Sequence, residues 1–184
     1  MARYRFEVRS TWNGQPLRAD EYARIELHLG DAIELEIEAA DYGDPAPTEP
    51  AGRCDGLWNF EVVELFLLGR DERYLELEFG PHGHFLALSL AGRRQVVASD
   101  LRVEYEVERR AGRWHGRARA RLDELPPDVV AANAYAIHGQ GESRRYLAWQ
   151  PVPGPLPDFH RLELFAPLSR AAAGDQRVGV FKAG

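Results

Sequence analysis

The sequence predicts an all-β protein, an antiparallel, jelly-roll-like β-sandwich of about ten strands with little helix. Three observations lead to this prediction. Apolar and polar residues alternate with a period of two through most of the chain, which is the pattern of half-buried strands. Turn-forming residues, beginning with Asn13-Gly14, separate these runs. Helical periodicity is almost missing, because even the segment 123–132 is limited to a short turn by Pro126-Pro127.

The predicted elements follow one another at short intervals. Runs with strand-like alternation are residues 4–8, 25–29, 33–37, 58–68, 73–79, 84–90, 103–107, 114–122, 133–138, 145–150 and 160–165. Between two of these runs, Arg110-Ala111-Gly112-Arg113 predicts a hairpin turn. The segments 41–53 and 151–157 are interrupted by prolines and predict surface loops. We therefore expect one sandwich domain over residues 1–168 and a loose tail over residues 169–184.

Composition excludes several classes of protein. A hydrophobic fraction of 45% in 184 residues is enough for a globular core without disulfides, and Cys54 is the one cysteine. The net charge of −6 argues against nucleic acid as a partner. The N-terminus lacks the apolar core of a signal peptide, and no run is long enough for a membrane span. We expect a cytoplasmic protein without a membrane partner.

The central strands predict their own register. A four-residue loop in each of the first two central hairpins pairs Phe66 with Leu75 and Leu77 with Leu86. This register gathers large apolar side chains on one face, and a slip of one residue would mix the two faces. The opposite, mixed face then carries Glu61, Tyr74, Glu76 and Glu78.

The sequence allows more than one environment for the carboxylates in these strands. The predicted register puts Glu64 among the apolar side chains, where an ionised carboxylate needs an ion pair, hydrogen-bond donors, a ligand or a metal. Glu76 and Glu78 either face solvent or form a shallow polar groove with Tyr74.

A second informative region, residues 133–150, has the sequence pattern of a strand, a glycine-flanked loop and another strand. It is rich in groups that stack or form hydrogen bonds, and loops of this kind on a rigid scaffold are typical binding locations. Sugars are held by an aromatic ring against their apolar face while carboxylates, amides, Arg and His take the hydroxyls. Trp58 and Trp114 either serve such a site or belong to the core, and His138 and His160 are either structural or functional.

We therefore predict a ligand-binding site and no catalytic residues, metal ligands or cofactor. Recognised catalytic and phosphate-binding motifs are missing from the sequence. The predicted ligand-binding residues are Glu61, Glu64, Tyr74, Glu76, Asn133, His138, Arg144, Tyr146, Trp149 and His160.

Two motifs also carry a resemblance. The run Trp58-x-x-Glu-Val-Val-Glu-Leu-Phe, followed by Tyr74-Leu-Glu-Leu-Glu-Phe-Gly-Pro, resembles the central strands of carbohydrate-binding module family 9-like, or DOMON-like, β-sandwiches. The run Ala136-Ile-His-Gly with Pro157-Asp-Phe-His-Arg-Leu-Glu resembles a family of small uncharacterised proteins of bacteria and animals. The resemblance implies a sandwich of about ten strands; members of the wider group bind sugars between tryptophans, and some bind calcium or heme. A Met/His heme site is disfavoured because Met1 is the one methionine.

Three functions follow as hypotheses. The first is a non-catalytic module that binds a saccharide or a related polyhydroxylated small molecule. The second is a hydrolase or isomerase that uses carboxylates with His138 or His160 on a sugar-like substrate. The third is an interaction protein that uses a sheet face, for which a homodimer would be the natural assembly.

Overall fold

The computed structural model describes residues 2–168. In this part of the chain fourteen strands form two sheets that pack face to face. In chain order the strands are β1 Ala2–Glu7, β2 Ser10–Thr11, β3 Ala23–Leu29, β4 Ala32–Ala40, β5 Gly52–Arg53, β6 Val62–Gly69, β7 Arg73–Phe79, β8 His84–Ala91, β9 Val96–Ala98, β10 Val103–Arg110, β11 Arg113–Arg121, β12 Val129–His138, β13 Arg145–Ala148 and β14 Ala166–Pro167. The helical elements here are 3-10 turns at Leu57–Asn59, Leu122–Glu124, Gly141–Ser143 and Leu162–Leu164. The antiparallel β-sandwich is confirmed, whereas jelly-roll connectivity stays a prediction, and the predicted tail lies outside the described residues.

The first sheet has the order β1-β3-β4-β11-β10, with every pair antiparallel. Its strands alternate buried and exposed side chains, so one face meets the core and the other faces solvent. The β10–β11 hairpin turns through Ala111 and Gly112, both with positive φ, as a two-residue turn matched to strand twist requires. The predicted hairpin at this position is therefore present.

The second sheet has the order β2-β13-β12-β6-β7-β8-β5, with β14 beside β12 and β9 beside β8. All its pairs are antiparallel except β5 with β8. Every residue of β6 is buried, which is the behaviour of a strand covered on both faces. This sheet therefore contributes to two apolar clusters instead of one.

The two clusters lie on opposite faces of the second sheet. The inner cluster fills the sandwich, where Leu65 and Leu77 meet Ile37 and Trp114 from the first sheet. The outer cluster is built on Phe66, Tyr74, Leu88 and Tyr135 and is covered by loop residues. The covering residues include Cys54, Leu57, Val152, Phe159 and Phe165. A layer of loops over the outer face therefore encloses polar groups together with aromatic rings.

The predicted register of the central strands is wrong by one residue. Phe66 lies opposite Glu76, not Leu75, and Leu77 lies opposite Ala87, not Leu86. Both hairpins close through three-residue loops whose last residue has positive φ, and a loop of this length shifts the pairing. Because β6 carries large apolar side chains on both faces and is buried throughout, apolar burial alone could not select the register.

The shift moves Glu64 to a different neighbourhood. It lies on the outer face with Glu76 and Glu78, and it pairs directly with Glu78 across the strands. Leu86 and Leu88 also face outward, into the outer cluster. The predicted separation into one packed apolar face and one mixed face is thus wrong in its members, because both faces are buried and Leu86 and Leu88 share the outer face with the carboxylates.

Two other predicted elements differ from the structure. The run 160–165 forms a 3-10 turn before the short β14, since Phe159 and Phe165 pack down onto the outer face on either side of it. Trp58, predicted on a strand, lies in a 3-10 turn before β6.

Candidate functional site

A cleft of about 360 Å³ opens on the outer face of the second sheet. Its floor is formed by side chains of β6, β7, β8 and β12, and its walls by the turn at Leu57–Asn59 and the segment 157–160. The volume is at the lower end of the range of small-molecule sites, about 300–1,000 Å³. The cleft therefore has the size for a small ligand that touches both sheet and loops.

Three buried glutamates lie at and beneath the floor. Glu64 and Glu76 line the cleft, and Glu78 lies behind them on the same face. Within residues 2–168, no N–H or hydroxyl group donates to Oε2 of Glu76 or to either carboxylate oxygen of Glu78, and these two carboxyl groups bond to each other when one of them carries a proton. Burial raises the pKa of Glu76 to about 7. Burial, and then repulsion from neighbouring carboxylates, raises the pKa of Glu64 and that of Glu78 well above the ordinary value.

Two arginines beside the cleft are engaged elsewhere. Arg144 donates to the main-chain carbonyls of Trp58 and Asn59, the latter at 2.9 Å. Arg94 donates to a carboxylate oxygen of Asp158 at 2.9 Å. In the described part of the chain the three glutamates form no ion pair. The arginines thus hold the walls in place and form no ion pair with the carboxyl groups of the floor.

A hydrogen-bond network joins the floor to one wall. The Tyr74 hydroxyl lies 2.7 Å from Nδ1 of His160, and the Arg94 amide donates to the same hydroxyl at 3.0 Å. The His160 amide donates to Asp158, whose carboxylate also accepts from Arg93 and Arg94. Burial lowers the pKa of His160 to about 4, so its ring is neutral at neutral pH. If the Tyr74 hydroxyl donates to Nδ1, the ring proton is on Nε2, the nitrogen left for the cleft.

Aromatic rings surround the opening. Trp58 is 47% exposed at the rim, although its neighbour Leu57 is fully buried and anchors the turn. Phe159 stacks on Tyr135 at 3.8 Å between ring centroids, which fixes the opposite wall. Tyr146 completes the lining below the Arg144 guanidinium. An exposed tryptophan ring beside hydrogen-bonding groups is able to receive a ligand with one flat apolar face.

The structure gathers most, but not all, of the predicted site residues. Glu64, Glu76, Arg144, Tyr146 and His160 line the cleft, and Tyr74 supports His160 from behind. The cleft lining does not include the other four predicted residues, each of which has a different role: Asn133, Trp149, Glu61 and His138.

Asn133 and Trp149 serve the framework. The fully buried Asn133 side chain bonds to the Tyr135 hydroxyl and to main-chain groups of Ala134 and Gln150, which uses both its donor and acceptor ends. Trp149 packs edge-on against Phe6 at 5.1 Å in the inner cluster. The prediction that these two residues contact a ligand is not supported by their positions.

Glu61 and His138 fasten a proline-rich loop to the end of the sheet. Glu61 accepts hydrogen bonds from the amides of Tyr42 and Asp44, both at 3.3 Å. The Tyr42 ring stacks on His138 at 3.6 Å between centroids, and Nε2 of His138 lies 3.1 Å from the buried Glu21 carboxylate. Burial raises the pKa of Glu61 to about 7 and lowers that of His138. These contacts form a separate structural cluster.

Sequence reasoning missed several lining residues. The cleft lining includes Asn59, Arg94 and Phe159, which were not predicted to contact a ligand. Trp58, for which the sequence allowed either a core or a ligand-binding role, lies at the rim of the cleft. A signal was present for Trp58, because Gly56 and Asn59 flank it and favour a turn over a strand. Trp114, the alternative tryptophan, is fully buried in the inner cluster.

The described residues contain neither a metal-ligand cluster nor a membrane-spanning helix. No group of three or more His, Cys, Asp or Glu side chains between residues 2 and 168 is arranged to hold a metal ion. In the same region no helix has the length and apolar character that crossing a bilayer requires.

Solved structures define the class of the fold. A protein from Bacteroides uniformis assigned to carbohydrate binding superposes with a TM-score of 0.68 at 17% identity, over 89% of this chain and 84% of that one. A carbohydrate-binding module of family 9 from Caldicellulosiruptor kristjanssonii, solved with cellotriose, superposes with a TM-score of 0.55 at 13% identity, over 90% and 84% of the two chains. The fold is therefore that of the family 9-like carbohydrate-binding modules, as the sequence motifs predicted.

Sequence relatives identify the family. No family model matches the chain. It is 40% identical over 170 residues to the human UPF0462 protein C4orf33, covering 87% of this chain and 85% of that protein. It is 38% identical over 173 residues to the homolog of Mus musculus, covering 89% and 90%. The chain belongs to the UPF0462 (C4orf33) family.

Proposed function

We propose that this protein is a non-catalytic module that binds a saccharide in the cleft on the outer face of its second sheet. The observation that carries the proposal is the exposed Trp58 ring beside the carboxyl groups of Glu64 and Glu76. A sugar offers an apolar face to an aromatic ring and hydroxyls to polar groups at its edge. Support comes also from the family 9 module of the same fold, which was solved with a bound oligosaccharide.

Each lining group has a role in this proposal. Trp58 stacks on one face of the sugar ring, and Tyr146 and Phe159 close the opposite side. The carboxyl groups on the floor accept or donate hydrogen bonds to the hydroxyls, according to their protonation. His160 adds an N–H donor from the wall. The cleft volume suits a ligand of monosaccharide or disaccharide size.

The test is a glycan screen followed by calorimetry with the best binder. Trp58→Ala should weaken binding by more than about tenfold, as loss of a central aromatic contact does. The same change should alter the free energy of unfolding by less than about 0.5 kcal/mol, because the side chain is half exposed. Leu156→Ala is the matched control, since Leu156 is an exposed apolar residue that does not line the cleft. Absence of binding across mono- and oligosaccharides would contradict the proposal.

One observation favours a second candidate function, an acid–base enzyme acting on a sugar-like substrate. Glu76, with a pKa of about 7, lies in the same cleft as the neutral His160. His138, the other histidine considered for catalysis, does not line this cleft. Turnover of a bound saccharide that is abolished by Glu76→Gln would favour the enzyme over the binding module.

A further inference from the structure

The cleft floor brings carboxyl groups together that form no ion pair among the described residues. Oε2 of Glu76 is buried without a partner although Glu76 lines the cleft, and Glu64 lies beside it, 2% exposed. Behind them Glu78 has two further oxygens without a partner among the described residues. Two carboxyl groups, those of Glu64 and Glu76, therefore reach the cleft without an ion-pair partner among the described residues.

We propose that the saccharide bound in this cleft carries a free ammonium group, which the Glu64 and Glu76 carboxylates receive at the floor. The inference rests on the proposed function and names its ligand class, an amino sugar. A primary ammonium has three donors and no acceptor, so it can bond to two carboxylates at once. Such charge-assisted hydrogen bonds are roughly twice as strong as neutral ones.

An organic cation fits the floor better than a metal ion does. Calcium requires about six to eight oxygen ligands, and the described residues offer no cluster of three or more acidic, Cys or His side chains arranged around one point. An ammonium group needs only a pair of carboxylates, with the rest of the ligand held by the walls. The stacking position of Trp58 and the acidic floor are on the same cleft, so one ligand can use both.

The charged and titratable groups around the floor are consistent with this ligand. From the sheet they are Glu78, Tyr74 and Tyr135, and from the loops they are Arg94, Arg144, Asp158, His160 and Cys54. Both arginines donate to other acceptors and form no ion pair with the floor, although the charge of Arg144 favours the ionised form of Glu64 and that of Arg94 favours the ionised form of Glu76. Because burial raises the pKa of Glu76 to about 7, an ammonium that favours its ionised form should release protons on binding at neutral pH.

The experiment is calorimetry at pH 7 with matched sugars. Glucosamine, galactosamine and mannosamine are each compared with the parent hexose and with the N-acetyl derivative, which keeps the ring but removes the charge. At least one hexosamine should bind about tenfold or more tightly than both of its neutral counterparts. Binding measured in two buffers of different ionisation enthalpy should also reveal proton release.

Variants separate the floor from general electrostatics. Glu76→Gln keeps the shape of the side chain and should reduce the preference for the hexosamine by about tenfold. Glu142→Gln makes the same change of net charge at an exposed position outside the cleft and should leave the preference intact. Equal affinity for hexosamines and neutral hexoses would overturn this inference while saccharide binding stands. Failure of every sugar to bind would overturn both.

Discussion

The Tyr74 hydroxyl lies 2.7 Å from Nδ1 of His160, eighty-six residues further along the chain. Tyr74 belongs to β7 on the floor of the cleft, and His160 follows the loop that forms its wall. The hydroxyl also accepts the Arg94 amide, so one side chain connects three segments. The shape of the cleft therefore depends on a single buried phenol.

Tyr74→Phe should loosen this connection. The change leaves the His160 ring nitrogen and the Arg94 amide without their partner, and a buried unsatisfied group costs about 1–3 kcal/mol. Urea unfolding followed by tryptophan fluorescence measures the loss of stability, and sugar affinity should fall with it. Tyr22→Phe is the control, because the Tyr22 hydroxyl makes only a 3.4 Å contact with Glu38. Equal losses in the two variants would contradict this role of Tyr74.

Stability should depend on the charge of Glu76 in the pH range from about 4.5 to 7. The folded protein holds a proton on Glu76 up to a pKa of about 7, whereas the unfolded chain loses it near 4.5. Stability from this group is thus complete below pH 4.5 and decreases as pH rises to 7, by on the order of 3 kcal/mol. Glu76→Gln cannot ionise, so it should match the parent near pH 4.5 and exceed it in stability at pH 8. Chemical unfolding at both pH values is the measurement; a parent protein as stable as the variant at pH 8 would count against the buried, unpaired carboxylate.

Glu21→Gln should be strongly destabilising. The Glu21 carboxylate is buried and accepts hydrogen bonds from Arg145 at 2.6 and 2.9 Å, with His138 beside it. Removing one partner of a buried ion pair costs about 3 kcal/mol or more. Asp123→Asn, which breaks an exposed ion pair with Arg121, should change stability far less, because solvent screens that pair. Thermal unfolding of the two variants compares the buried and the exposed pair directly.

The same carboxylate predicts a loss of stability in acid. Burial raises the pKa of Glu21, but hydrogen bonds from Arg145, from the Arg18 amide and from His138 outweigh it and bring the pKa to about 2. Its contribution is complete above about pH 4.5 and is lost as pH falls toward 2. Glu21→Gln should therefore flatten the fall in unfolding free energy between pH 4.5 and 2. A variant that loses stability over that range as steeply as the parent would show that other groups govern acid unfolding.

Gly116→Ala should destabilise the sandwich through a steric clash. A Cβ atom at Gly116 would lie 2.8 Å from Cε2 of Tyr105, whose hydroxyl is held by the Gly80 carbonyl. Overpacking of this kind costs about 1–3 kcal/mol. Gly154→Ala is the control, since its nearest neighbour would be at 3.6 Å, an ordinary contact. A difference of less than about 0.5 kcal/mol between the two variants in urea unfolding would contradict the clash.

The sequence predicted most strands but not how they pair. Alternation located β3, β4, β10 and β11, where one face is apolar and the other is charged. Alternation did not predict the pairing of β6, which carries apolar side chains on both faces. A register shift of one residue there places the apolar side chains of one face where those of the other face were, so burial is similar in both registers. The positive φ of Glu72, which closes the first central loop, has no glycine to signal it.

The candidate site was predictable where its residues share a sheet face and unpredictable where loops bring them. Tyr74 and Glu76 are two residues apart on β7, so their side chains lie on the same face of the sheet, and the sequence alone predicts that they are neighbours. Arg94 and Phe159 arrive from separate loops, and no spacing in the sequence relates them to Glu76. Trp149 was placed in the site by its neighbours in sequence, yet its side chain belongs to the inner cluster.

The sequence by itself determined that this chain folds as an antiparallel β-sandwich, because period-two alternation and turn residues are local properties. Only the tertiary structure decided which face of the second sheet receives Glu64, Glu76 and Glu78, and which loops cover them. That decision depends on loop conformation and on contacts between segments far apart in the chain. Neither is encoded in the periodicity of any single strand.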